Sequence, residues 1–405
     1  MRTRAADPAG DFSDLFSPHA LEEPLSGGLR TSSPRLVRDG VEGDVTRGCV
    51  AESGDAPGTP PFPDTDGVRH ALASGQTLIV RSLHRFHPPI RRFAHELAAE
   101  IGHPVKVNAF VTPPGSQGVD LHFDVQYVLV LQIAGDTRWL LRTPPLPDPL
   151  PAHAWFDVPA RRREEMRAAG RPLADLVLRA GDSLYLPRGT MHSPMARNTL
   201  SIHLTVAAST ITRHDLLAEL VRKAVDDDWM RVGIDTDGLV TDPELARDLL
   251  REAGERLAAL AAGTDPEDVL WALRKAAFRE QTPEPVPFLP MPEGVRPQGV
   301  HRLRAGVYFH TASVKDGVQL SVGNRRVRLP VSVSPFLTAL HRDQVADMTG
   351  LTAALGEDNA RKVVAALVDI GLLLPPSAAP WRATTPQEAV QPDGAPGGES
   401  DPDDS

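Results

Sequence analysis

The sequence predicts a mainly β core followed by helices and a small mixed domain. Three observations lead there. Between about residues 105 and 208, short apolar runs alternate with Gly, Pro and Asp turn signals, as in a closed or sandwiched β structure. After Ser209 the texture turns helical. A proline-rich stretch from Pro283 to Pro297 then precedes a last segment of hairpin and helices.

The elements follow in order. Residues 1 to about 30 form a leader of mixed composition, and residues 43–67, rich in Gly, Pro, Asp and Thr, read as a long loop. "GVRHALASGQTLIVRSL" reads as a short helix and a strand. "PPIRRFAHELAAEIG" reads as an amphipathic helix with Ile90, Phe93, Leu97 and Ile101 on one face and Gly102 at its end. "VKVNAFVTP" is a strand ending at Pro113-Pro114-Gly115. Val119–Leu141 reads as two apolar strands joined at Gly135-Asp136, the first opening with His122-Phe123-Asp124. "TPPLPDPLP" is too rich in proline for a central strand. "LADLVLRAGDSLYLPRG" reads as strand, turn, strand, turn, and "TLSIHLTVA" as one more strand.

A helix begins near Thr210, and two more open with capping boxes at Thr241/Glu244 and Thr264/Glu267. "VQLSVGNRRVRL" is a hairpin turning at Gly323-Asn324, with two or three helices after it. That content suggests a winged-helix-like module. The expected divisions are therefore 1–30, 31–208, 209–282, a linker at 283–300, 301–380, and a disordered acidic tail at 381–405.

Bulk properties narrow the function classes. The net charge is -10, much of it carried by tail acids such as Asp401, Asp403 and Asp404. The rest is near balance, so neither general nucleic-acid binding nor membrane-surface attachment follows from charge. Cys49 is the one cysteine, which suits a reducing compartment. The first residues lack the apolar run of a signal peptide, and no stretch approaches the roughly 20 apolar residues of a membrane span. A cytoplasmic protein is expected.

His122 and Asp124 share a face if their segment is a strand. A buried carboxylate without partners is costly, and a metal ion held jointly with imidazole resolves that cost. His192, after "GDSLYLPRGTM", is the candidate third ligand. Two histidines and one carboxylate with open positions form the facial triad of non-haem Fe(II) oxygenases. H-x-D by itself is common by chance. The ordered set is more specific: Asn108 to Asp124, "NAFVTPPGSQGVDLHFD", then Gly181 to His192, "GDSLYLPRGTMH".

These stretches, with "SIHLTV" from Ser201, resemble the JmjC-type cupin oxygenases of the ribosomal-oxygenase group. The motifs cover about residues 30–208; the later segments resemble that group's layout more loosely. The resemblance implies a double-stranded β-helix holding Fe(II) through His122, Asp124 and His192, with 2-oxoglutarate as co-substrate and hydroxylation of a C–H bond as outcome. It implies a protein or peptide substrate, in that family including His or Arg side chains of ribosomal proteins. It also implies homodimerisation through the helical segment and a winged-helix module that is not a DNA reader.

One departure stands out. Where the family usually has Lys or Arg, this chain has Thr137, which can hydrogen-bond a carboxylate but not neutralise it. Lys106, on the face of Asn108, is one replacement for the charge, and Arg138 through a local bulge is another. Asn108, Thr137, Thr205 and Lys106 are thus the expected co-substrate contacts. Tyr127 and Gln132 either line the pocket or fill it, Ser116 and Gln117 are candidate substrate contacts, and Trp139 reads as core. Arg325, Arg326 and Arg328 make the hairpin basic, which reads better as a solvated edge than as a nucleic-acid contact. The leading expectation is an Fe(II)/2-oxoglutarate-dependent hydroxylase; the competing one is a metal-binding cupin-like protein without oxygenase activity, acting as a binding or regulatory module.

Overall fold

The computed structural model describes residues 2–4, 12–22, 24–30, 32–43, 61–286 and 301–375. The chain divides into two compact units, residues 1–284 with 305–310 and residues 285–304 with 311–405. Cys49, most of the 43–67 loop, most of the proline-rich stretch and the acidic tail lie outside the described residues.

The first unit contains strands β1 (Arg2–Arg4), β2 (Pro34–Arg38), β3 (Val41–Gly43), β4 (Thr77–Val80), β5 (Val105–Thr112), β6 (Tyr127–Ala134), β7 (Thr137–Arg142), β8 (Pro172–Leu178), β9 (Asp182–Leu186), β10 (Met191–Ala196) and β11 (Ser201–Ala208). Its helices are α1 (Thr65–Ala73), α2 (Pro88–Ile101), α3 (Ala160–Ala169), α4 (Arg213–Lys223), α5 (Thr236–Thr241), α6 (Pro243–Gly263) and α7 (Pro266–Ala277). An eight-stranded sheet runs β1-β9-β6-β11-β5-β4-β2-β3, and a three-stranded sheet runs β10-β7-β8. Side chains of both sheets line one cavity.

The turn between β6 and β7 falls at Gly135-Asp136, as expected. Gly135 has φ +67, and a Cβ there would stand 2.1 Å from the Leu200 carbonyl oxygen, so no larger residue fits. The helix of residues 88–101 ends on Gly102 at φ 70, as its sequence predicts. Its inward face differs from the predicted stripe. Ile90, Ala94, His95 and Ala98 are buried, whereas Ile101 is 39% exposed. Small alanines allow the helix to lie close against the sheet core of Leu78, Val80 and Val107. Each large apolar side chain buried in that layer contributes about 1.5–3 kcal/mol.

Two expectations about local structure are corrected. The segment of His122 and Asp124 is not the start of a strand: β6 begins at Tyr127. His122 instead forms an isolated antiparallel bridge with His192. The helices expected to be capped by Thr241 and Thr264 are capped by the next residues, Asp242 and Asp265, which accept hydrogen bonds from Glu244 and Glu267 N–H. A carboxylate is the stronger acceptor for the positive helix start. Thr212 caps α4, with Asp215 completing a capping box.

The second unit contains a hairpin of strands Gly317–Val322 and Arg325–Leu329, followed by helices Ser334–Asp343, Met348–Leu355 and Glu357–Asp369. Arg325 donates to the Asp369 carbonyl at 2.9 Å.

Candidate metal centre

The register of the large sheet sets out the cavity wall. His203 on β11 stands opposite Phe110 on β5, which stands opposite Ile79 on β4 and, beyond it, Arg35 on β2. The next inward-facing row along is Thr205, Asn108 and Arg81, and the row after it is Ala207 and Lys106. The small sheet faces them with His192, Pro194 and Ala196 from β10 and Thr137 and Trp139 from β7. The space between is about 560 Å³.

At its edge His122, Asp124 and His192 converge, with one ligand atom from each lying within 4.8 Å of the others. Backbone structure brings them there. His122 N–H donates to the His192 carbonyl at 3.1 Å and His192 N–H to the His122 carbonyl at 2.8 Å. Gly189 N–H holds the Asp124 carbonyl at 2.9 Å. Gly189 has φ +79, and a Cβ there would meet the Leu146 carbonyl oxygen at 2.6 Å, which explains the glycine in the Pro-Arg-Gly turn.

The ring orientations follow from their other hydrogen bonds. His122 Nδ1 lies 2.7 Å from the Asp120 carbonyl and His192 Nδ1 3.0 Å from the Thr190 carbonyl. Each Nδ1 therefore carries the proton and donates, leaving the Nε2 lone pair for the centre. His192 Nε2 lies 3.5 Å from Asp124 Oδ2. Burial, with His192 beside it, pushes the His122 pKa down to about 4, so the ring is neutral near pH 7, as metal ligation requires. Two neutral imidazoles and a carboxylate fit a divalent metal of the facial-triad kind.

The surroundings are aromatic. Trp139 lies 5.9 Å from the His192 ring and 5.5 Å from His203. His203 stacks on Phe110 at 4.8 Å, and burial pushes its pKa down to about 3. Among the described residues, the buried Trp139 Nε1, His203 Nδ1 and Gln132 Oε1 have no hydrogen-bond partner. Trp139 is thus both core and cavity wall.

The other expected site residues sort as follows. Asn108, Thr137, Thr205 and Lys106 all line the cavity. Asn108 Oδ1 accepts from Ser82 N–H at 2.9 Å, which leaves its amide N–H₂ available. Arg138 is corrected: β7 pairs regularly there, so alternation turns the side chain outward, where it forms a two-pronged ion pair with Asp175. Gln117 braces the wall through Ser193 at 2.9 Å, and Ser116 bonds the Pro114 carbonyl. Tyr127 stacks on Tyr185 instead of lining the cavity, and the fully buried Gln132 supports Ser201.

Sequence reading missed several contributors. Arg35 on β2 and Arg81, directly after β4, line the cavity, and register alone reveals them. Phe156 stands 66% exposed at the rim, 6.3 Å from the His122 ring. Arg167 on α3 clamps the segment before His122, donating to the Leu121 carbonyl at 3.1 Å and pairing with Asp120 at 2.7 Å.

Residues 82–216 match the JmjC domain. Two curated relatives extend the likeness. Ribosomal oxygenase 2 of Rattus norvegicus is 36% identical over 135 residues, covering 31% of this chain and 27% of the relative. The bifunctional lysine-specific demethylase and histidyl-hydroxylase NO66 of Drosophila melanogaster is 30% identical over 168 residues, covering 40% of this chain and 24% of the relative. The chain therefore spans about a quarter of the length of these relatives. The solved structure of YcfD, a ribosomal oxygenase from Escherichia coli, aligns with a TM-score of 0.50 at 18% identity over 90% of this chain and 91% of that one. That likeness concerns the fold. The JmjC match includes the triad and the Gly189 turn that holds Asp124.

Proposed function

We propose that this chain is an Fe(II)- and 2-oxoglutarate-dependent oxygenase that hydroxylates a side chain of a protein or peptide. The convergence of His122, Asp124 and His192 at the edge of a large cavity is the observation that carries the reading. The donor set suits Fe(II), and about 560 Å³ is the size of an ordinary small-molecule site, room enough for 2-oxoglutarate. Iron bound there supplies the chemistry that couples O₂ and 2-oxoglutarate decarboxylation to C–H hydroxylation.

This chain's residues bind, orient and shield. His122, Asp124 and His192 would hold the ion, three ligands that would leave coordination positions for the co-substrate. Asn108 offers its amide N–H₂ and Thr205 its hydroxyl to the co-substrate from neighbouring strands, while Thr137, whose hydroxyl is bonded to Ser201, lines the cavity wall. Lys106 is assigned the charge opposite the distal carboxylate. Phe110, Trp139 and His203 form a wall that excludes water from the reacting centre.

The relatives' names are those of ribosomal oxygenases and a histidyl-hydroxylase, which favours a ribosomal-protein His or Arg as the oxidised residue. We assign residues 31–208 to the catalytic domain, 209–282 to a dimerising helical segment and 301–380 to a winged-helix-like domain. A cytoplasmic homodimer is the proposed form; among the described residues, no helix is long and apolar enough to cross a membrane. Thr137 favours one other reading, metal binding without turnover, since a neutral hydroxyl neutralises no carboxylate.

Succinate formation separates the two. Fe(II)-loaded protein with 2-oxoglutarate and ascorbate under air is expected to form succinate, and the His122→Ala, Asp124→Ala double variant is not. Absence of both succinate and calorimetric 2-oxoglutarate binding in the unaltered protein would leave only the binding-module reading.

A further inference from the structure

Phe156 lines the mouth of the cavity, its ring 6.3 Å from that of His122 and mostly exposed. A single exposed aromatic is ordinary on a protein surface. This one differs in its mounting. It belongs to the short turn Trp155–Asp157. Its neighbour Trp155 is buried, meets Phe123 edge-on at 5.2 Å and carries the Arg167 guanidinium 5.3 Å from its ring. Phe123, Trp155, Met166 and Met191 form one buried cluster. Phe123 lies between the ligands His122 and Asp124, and Met191 directly precedes His192. The cluster that sets the triad therefore also anchors the turn of Phe156, and holds a flat apolar face beside the metal centre.

Such a face favours a flat partner, because stacked rings gain more than the area they bury. The imidazole of a histidine and the guanidinium of an arginine both lie flat on a ring, so charge decides between them. Arg35, Arg81 and Lys106 line the cavity, and Asp124 is the one acid among its described lining residues. A divalent ion, the Asp124 carboxylate and the two carboxylates of 2-oxoglutarate sum to one negative charge. Whichever of the three cations pairs with the distal carboxylate, it offsets that charge and two cations remain. A guanidinium or ammonium entering this space meets like charge, and a neutral ring does not.

We propose that Phe156 is a specificity-determining residue that stacks on the side chain presented to the metal centre, that this side chain is a neutral flat ring, and that the cationic lining turns arginine and lysine away. The proposal deepens the oxygenase reading and rests on it for calling the peptide a substrate, but the binding it asserts is separate from turnover.

The test uses four bead-bound nonapeptide libraries with a central His, Phe, Arg or Ala and flanking positions drawn from neutral residues other than His and Cys. Retention of the full chain, loaded with Mn(II) and 2-oxoglutarate, is measured at pH 8, where free histidine is neutral. The His and Phe libraries are each expected to retain about threefold more protein than the Ala library, the effect of one stacked pair, and the Arg library no more than Ala. Phe is included because it stacks without ligating the metal. Phe156→Ala should remove both advantages and Phe156→Tyr should keep them. Because Phe156 is exposed, neither substitution should lower the Tm. Equal retention by all libraries, no retention by any, an Arg library above Ala, a His advantage without a Phe advantage, or advantages that survive Phe156→Ala would overturn the proposal. Failure to form succinate would sink the oxygenase reading without altering these retentions.

Discussion

The hydroxyls of Thr137 and Ser201 hydrogen-bond to each other between the two sheets. Gln132 Nε2 donates to Ser201 Oγ at 3.0 Å, so the three side chains form a buried neutral cluster. The Thr137 hydroxyl is thus already engaged within the protein, at the position where the resemblance leads one to expect a charge.

Thr137→Val is therefore expected to cost about 1–3 kcal/mol of stability, because Ser201 loses a buried partner. It should change 2-oxoglutarate affinity by less than about threefold, since no charge is lost. Lys106→Gln should weaken that affinity by about tenfold or more. Denaturant titration and calorimetry of the Mn(II)-loaded protein measure both, and Lys106→Gln binding as tightly as the unaltered protein would move the counter-charge to Arg35 or Arg81.

Metal binding should stabilise the fold. Mn(II) at a hundredfold excess over its Kd is expected to add about 2.7 kcal/mol, seen as a higher Tm. His192→Ala or Asp124→Ala should abolish the rise, each removing one of three ligands. A metal-dependent Tm that persists in Asp124→Ala would place the ion elsewhere.

Arg167 acts on the centre without touching it. Through Leu121 and Asp120 it fixes the segment that aims His122. Arg167→Ala should lower metal affinity by about tenfold, as loss of outer contacts commonly does. Arg138→Ala serves as the contrast: its ion pair with Asp175 lies outside the cavity, so neither metal nor 2-oxoglutarate binding should change.

The metal-free protein should lose stability in acid. Burial holds His84 at about 4 and His203 at about 3, below the unfolded value near 6.5. As pH falls the unfolded chain takes up these protons first, so stability declines from about pH 6.5 down to the folded pKa values. By pH 4 the loss is on the order of 3 kcal/mol for each ring. His84→Gln should flatten the decline in urea titrations made in chelator; an unchanged slope would show that other groups dominate it.

Several features were legible because their signals are local. The β6–β7 turn is marked by a glycine that only φ > 0 permits, and the triad by two short motifs. The strand assigned to His122 was not legible, because a two-hydrogen-bond bridge to His192 gives a residue strand-like placement without a strand. The α3 helix was invisible for a different reason. Only Met166 among its residues is buried, so it has no apolar stripe to read. Arg35 and Arg81 became visible only with register, since their place in the cavity depends on which strands lie side by side.

The helical segment carries a last expectation. Leu220 on α4 is buried against Val269 and Leu273 of α7. Leu217 and Val221, one turn apart on α4, are 55% and 59% exposed. Val225, just beyond the helix, is 63% exposed, and Leu270 on α7 is 58% exposed. Apolar surface gathered in this way is characteristic of an interface between chains. Leu217→Glu and Val221→Glu each place a charge in that surface and should convert a dimer to a monomer in sedimentation velocity. Leu217→Glu should leave metal binding intact, because the triad lies on β10 and the segment bridged to it. Sedimentation of the unaltered chain as a monomer at micromolar concentration would instead remove the homodimer and leave these side chains to a different partner.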